Sequence, residues 1–176
     1  KHKVTQSVWP TFQPKALTLY KAKTRLGNSF LMWKANPVSP ENHNKQLSKG
    51  LNTQFACHGF TVGSYKLPGG PFTPYGDGID ILLADEFHTI TVHELATNDV
   101  IAWRDEDGDI SHTARISDIY RGQDNQLSDQ TRLATKNGAC VFRDNMRLAT
   151  LKLKYGDCME FYRDGKYNLR SSLTII

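Results

Sequence analysis

The stretch "DVIAWRDEDGDISHTARI", residues 99–116, constrains this chain more than any other. Two runs rich in β-branched and aromatic residues flank Asp107-Gly108. An Asp-Gly pair between such runs is among the strongest short signals for a hairpin, because Gly accepts the positive φ that the turn needs. A two-residue turn at 107 and 108 sets His112 opposite Trp103. Side chains alternate along a strand, so His112 is expected on one face with Ile110, Ala114 and Ile116. That face is apolar and turns to the core. A histidine there is either a core residue with a satisfied hydrogen bond or an imidazole presented from a sheet to a helix packed on it. The acids of "DEDGD" invite a calcium loop, which needs Gly at its sixth position and Glu at its twelfth. Here Gly108 is fourth and Ile116 twelfth, so the segment reads as a turn.

Other segments fill in around this hairpin. "LTLYKAKTR" and "SFLMWKA" read as two strands about a turn at Leu26 to Asn28. "NPVSPENHNKQLSKG", 36–50, is polar and holds two prolines, and reads as a loop. "LPGGPFTPYGDG", 67–78, reads as a long irregular loop, with Tyr65, Phe72 and Tyr75 as cleft-lining or packing aromatics. "IDILLADE", 79–86, has helical spacing, with Asp77 or Gly78 as its cap. "HTITV", "TRLAT", "GACVF", "ATLKLKY", "CMEFYR" and "LTII" read as strands. The fold expected is α+β: a short N-terminal helix carrying cysteine, packed on a mostly antiparallel sheet. Residues 1–50 are expected as an N-terminal extension with strands, and 51–176 as the main domain of a single compact unit.

Composition narrows the function classes. At 176 residues, 39% hydrophobic and 23% charged, the chain can bury a core without staples. No apolar run approaches the roughly 18 residues of a membrane span. The net charge of +4 comes from scattered lysines and arginines rather than a dense basic run, which argues against a dedicated nucleic-acid binder. The chain begins with Lys1 and shows no signal peptide, which suits a processed product or a domain of a longer protein. The compartment is therefore left open. Three cysteines make no disulfide framework, though Cys140 and Cys158 stay open as a pair.

The chemistry centres on "QFACHGFTVG", 54–63. Cys57 opens a segment able to start a short helix, although Gly59 and Gly63 weaken it. A thiol at a helix start favours its thiolate, and a neighbouring imidazole draws the proton. Cysteine at a helix start followed by histidine on a later strand is the order of papain-like hydrolases. His58 is expected to bond backbone and point away from the thiol, as adjacent helical residues diverge. A zinc site from Cys57, His58 and His112, or from His88 and His93, lacks any recognised ligand spacing.

"CHGFTVG", then "IDILLADEFHTITV", then "DVIAWRDEDGDISHTARI", "LATKNG" and "KYGDCMEFYR" resemble small papain-like domains related to NlpC-type cell-wall cysteine peptidases. The resemblance covers roughly 57–163. It implies Cys57 as nucleophile and His112 as general base, with no cofactor and no metal. Two departures stand out: Ala56 replaces the family's Asn before the cysteine, and Thr135-Lys136 replaces its Ser-Lys pair. The third group of a triad orients the imidazole. Asn137 fits that place on the following strand, or serves as an Asn-Gly turn residue; Thr135 is the runner-up. The Cys57 N–H is the default oxyanion donor, with Gln54 as a further donor and Trp103 and Thr135 as substrate-side residues.

The expected function is therefore a cysteine hydrolase of amide bonds. Peptidoglycan peptides are the substrate class that the resemblance implies. The start at Lys1 and the basic charge suit an exported effector or toxin acting in the periplasm or a target cell, opposed by a cognate inhibitor protein. The same dyad serves protein glutamine deamidases and transglutaminase-like effectors. A non-enzymatic binding domain with a buried, inert cysteine is the third class.

Overall fold

The computed structural model describes residues 17–49, 56–63, 72–137 and 141–165, and the strand at 174–175. It is a mixed α+β molecule built on two antiparallel sheets. The first sheet has β1 (Leu17–Lys23), β2 (Ser29–Ala35), β3 (Thr73–Tyr75) and β10 (Thr174–Ile175), in the order β10-β1-β2-β3. The second has β4 (Phe87–Thr89), β5 (Val100–Arg104), β6 (Ile110–Asp118), β7 (Arg132–Thr135), β8 (Arg143–Arg147) and β9 (Met159–Asp164), in the order β4-β9-β5-β6-β7-β8. Helices α1 (Pro40–Ser48), α2 (Gly78–Glu86) and α3 (Leu148–Tyr155) lie between strands in sequence. Among the described residues no helix is long and apolar enough to cross a membrane.

The expected boundary at residue 50 does not divide the structure. β1 and β2 share a sheet with β3 and β10, which come from both later parts of the chain. One apolar cluster joins Ala22, Phe30 and Met32 to Ile79, Leu82 and Leu83 of α2 and to Val100, Ala102 and Tyr162 of the second sheet. A second cluster lies on the other face of that sheet: Ile101, Trp103, Ala114, Ile116 and Leu133, covered by Leu148 and Leu151 of α3.

The central hairpin forms, with its turn redrawn. Trp103 pairs with His112, as the two-residue turn requires. Beyond that pair the register shifts, and Arg104 pairs with Ile110. The extra residue is Ser111, and this β-bulge moves Ile110 into the first cluster while Ala114 and Ile116 stay in the second. His112 therefore does not share a face with Ile110. The turn is a three-residue loop: Asp105 N–H donates to the Asp109 carbonyl, and Gly108 takes φ +81°. Asp105 Oδ1 accepts from the Asp107 and Asp109 N–H groups, so the acid closes the turn itself.

Three further expectations are corrected. Residues 40–48 of the expected loop are helical, because Ser39 accepts from Asn42 N–H as a cap and Pro40 fits the first turn. Residues 73–75 of the expected irregular loop form edge strand β3, where Pro74 lacks only an N–H that an edge can spare. "ATLKLKY" is a helix, not a strand. Leu148, Leu151 and Tyr155 share one helical face while Leu153 stands 92% exposed. Gly156, at φ +91°, ends that helix by donating its N–H to Lys152.

Candidate active site

Cys57 and His58 begin a helical turn that widens into a π-turn over Gly59–Gly63. The turn is too short to stand on propensity and is held by packing. Val62 is fully buried in the first core cluster. Ala56 N–H donates to Thr73 Oγ1 on β3 at 3.3 Å. From β6, the buried Arg115 guanidinium donates to the Thr61 carbonyl at 2.9 Å and pairs with Asp164 at 2.6 Å. The thiol-bearing turn is thereby fastened to β3 and to the centre of the second sheet.

Cys57 is buried, and two imidazoles act on its sulfur. His58 Nδ1 lies 3.6 Å from Sγ, so the expectation that His58 points away fails. The widened turn lets its ring fold back beside the sulfur. Its Nδ1 also lies 2.9 Å from Thr113 Oγ1. His112, 1% exposed on β6, is the second imidazole whose charge acts on this thiol. Burial pushes the Cys57 thiol up, but the two imidazoles and their hydrogen bonds outweigh it and hold the thiol well below the ordinary range.

Hydrogen-bond accounting fixes the tautomer of His112. Thr135 Oγ1 has one proton and donates it to the Thr113 carbonyl at 3.2 Å. The same oxygen lies 2.7 Å from His112 Nε2, so it accepts there and Nε2 carries the hydrogen. In the neutral ring, Nδ1 is then the bare nitrogen, free to take a proton. Burial, aided by the charges of His58 and Lys154, keeps His112 below its usual value, although Cys57 pulls the other way.

Around this dyad the structure redistributes the expected roles. Thr135, the runner-up, is the group on the imidazole N–H. Asn137 is adjacent but its Oδ1 accepts from Tyr155 Oη at 3.1 Å. That corrects the expectation that Asn137 accepts from His112. Tyr155 in turn stacks flat on His112, ring centroids 4.0 Å apart and planes 3° from parallel. Trp103 is wholly buried, and its indole N–H donates to the Gly156 carbonyl. It braces His112 and α3 and has no donor left for an oxyanion or substrate. Phe72 is a core residue packed edge-on to Tyr20, and Tyr75 is exposed. Cys158 is a free, exposed thiol. Gln54, Tyr65 and Cys140 lie outside the described residues.

Sequence reasoning missed Tyr155, Thr113 and Arg115. Tyr155 was hidden because its segment reads as a strand, and only Gly156 after it hints at a helix end. Thr113 and Arg115 alternate with His112, Ala114 and Ile116 along β6, a pattern that marks a second face with its own polar partners. Among the described residues, no group of three or more His, Cys, Asp or Glu is arranged to hold a metal ion. No family model, curated protein or solved structure matches this chain.

Proposed function

We propose that this chain is a cysteine-dependent hydrolase of amide bonds, papain-like in plan, with Cys57 as nucleophile and His112 as general base. The observation that carries the reading is a buried thiol, favoured as thiolate, with one imidazole nitrogen 3.6 Å from its sulfur and a second imidazole, His112, whose Nε2 is tied to Thr135 and whose Nδ1 is left bare. A structural cysteine has no need of such partners. The chain order supports it too: cysteine on a helical turn, histidine on β6 and the orienting hydroxyl on β7.

In the cycle the Cys57 thiolate attacks the carbonyl carbon. The C–N bond breaks, the amine leaves with a proton from an imidazole beside the sulfur, and a thioester remains. His112 Nδ1 then takes a proton from water, which attacks the thioester and releases the acid. The Cys57 N–H at the start of the turn is the donor placed for the oxyanion. Peptide stems of peptidoglycan are the substrate class that the NlpC-like motifs favour.

The reading is tested by limiting iodoacetamide across about pH 5 to 9, with labels mapped by mass spectrometry. Cys57 is expected to label selectively well below the free-thiol pKa of about 8.5, ahead of Cys158. Labelling of Cys57 that only follows that of Cys158 removes the nucleophile. Muropeptide profiles that Cys57→Ala leaves unchanged remove the cell-wall substrate. Ammonia release from a glutamine peptide without chain cleavage moves the reaction to deamidation.

A further inference from the structure

Resting on Cys57 as nucleophile, we propose that this thiol is served by two histidines with separate tasks: His58 holds the proton the thiol gives up, and His112 stays neutral as the base for the attacking water. The family resemblance assigned both tasks to His112.

The two rings reach one sulfur but are held differently. The backbone of Ile110 favours a charged His58 ring. A second proton, on Nδ1, finds two acceptors already in place: the sulfur at 3.6 Å and Thr113 Oγ1 at 2.9 Å. A charged His58 thus keeps its Nδ1–H paired. The acid facing it from α2 is Asp80, whose charge favours the imidazolium. His112 is surrounded otherwise. Its Nε2–H is taken by Thr135, its face is covered by Tyr155, and the charges facing it besides Cys57 are those of His58 and Lys154, both cationic when protonated. One positive charge beside the sulfur makes a second one costly. The titration preferences agree. Burial opposes charge on His58, yet Cys57, the Ile110 backbone and Asp80 hold it above its ordinary value, while burial holds His112 below.

The steps balance. The S–H bond of Cys57 breaks and its proton passes to His58 Nδ1, leaving the electron pair on sulfur. That pair bonds to the carbonyl carbon, the C–N bond breaks, and the His58 proton goes to the departing nitrogen. Water then attacks the thioester as His112 Nδ1 takes its proton. The C–S bond breaks, the acid leaves, and the proton on His112 returns through the sulfur to His58.

The test separates thiolate formation from turnover, using the intact chain with His58→Gln, His112→Gln and Thr113→Val. Thiolate is read from the pH profile of Cys57 alkylation, and turnover from an activated ester and its acyl-enzyme mass. His58→Gln is expected to raise the labelling midpoint by about one pH unit or more. Thr113→Val, a buried near-isostere, is expected to raise it in the same direction by less. His112→Gln is expected to raise the midpoint by less than His58→Gln does, while the acyl-enzyme accumulates. A midpoint that rises with His112→Gln and stays put with both His58→Gln and Thr113→Val overturns the assignment. A wild-type Cys57 that is inert throughout fails the hydrolase reading itself, a result distinct from either.

Discussion

At the scale of single residues, the decisive atom is Thr135 Oγ1. It donates to the Thr113 carbonyl and accepts from His112 Nε2, and so sets which nitrogen of His112 carries the hydrogen. Thr135→Val keeps the shape and removes the acceptor. The buried Nε2–H then has no partner, and the ring gains by moving its hydrogen to Nδ1, the wrong place for a base. Turnover is expected to fall about 100-fold, with Thr135→Ser restoring most of it, as measured by kcat on an ester or amide. Alkylation of Cys57 is expected to change far less, because His58 remains beside the sulfur. Cys57 and His112 were legible in the sequence from residue type and order. Thr135 over Asn137 was not. The register between β6 and β7 shifts between Ile116 and Asp118, so counting along the strands does not say which side chain meets the imidazole. His58 was hidden for a related reason. Ideal helical geometry sends neighbours apart, and the turn from Gly59 onward is a π-turn.

At the scale of elements, the turn that carries Cys57 depends on Arg115. This side chain is 1% exposed and satisfies the carbonyls of Thr61 and Asn98 while pairing with Asp164. Arg115→Met fills similar volume but orphans those carbonyls. It is expected to cost about 3 kcal/mol, or a fall in Tm of roughly 10 °C for a chain of this size. The same variant loosens the thiol turn, so labelling of Cys57 should lose its low-pH component even in the folded protein at low temperature. A melt unchanged within about 1 °C contradicts this account of the anchor. The central hairpin, α2 and β9 were legible as elements because pattern and local turn chemistry agree there. Residues 148–155 were not. Alternating Leu and Lys mimics a strand over a few residues, and only the burial of Leu148 and Leu151 against the second sheet decides for helix.

At the scale of the whole molecule, the N-terminal hairpin is built into the fold that presents the site. Thr24 Oγ1 and Asn28 Nδ2 both donate to Asp85 Oδ2, and Arg25 N–H donates to Glu86 Oε1 at 2.7 Å. These two buried acids end α2, so the tip of the β1–β2 hairpin caps the helix that follows the thiol turn and β3. The approach is close: a Cβ on Gly78 would stand 2.8 Å from the Leu31 carbonyl. Composition and local pattern could not show this, because the contacts join residues about 60 apart in sequence, whose pairing depends on how the two sheets share one core. A fragment of residues 51–176 would lose β2, the partner that holds β3, and with it the anchor of Ala56 on Thr73. It would also bare Ile79, Leu82 and Leu83 where Phe30 and Met32 pack. That fragment is expected to be insoluble or unfolded by circular dichroism, whereas a detachable extension would leave a cooperative domain. Asp85→Ala gives the graded version. It leaves the Thr24 hydroxyl and the Asn28 amide without their acceptor and is expected to cost about 2 kcal/mol in urea denaturation. Because the same helix end is braced by Gly165 N–H on the Glu86 carbonyl, the loss should appear as one cooperative transition of lower midpoint, with the slope unchanged. An early, separate transition of the hairpin would instead mean that the two sheets fold independently and that the site needs only the second.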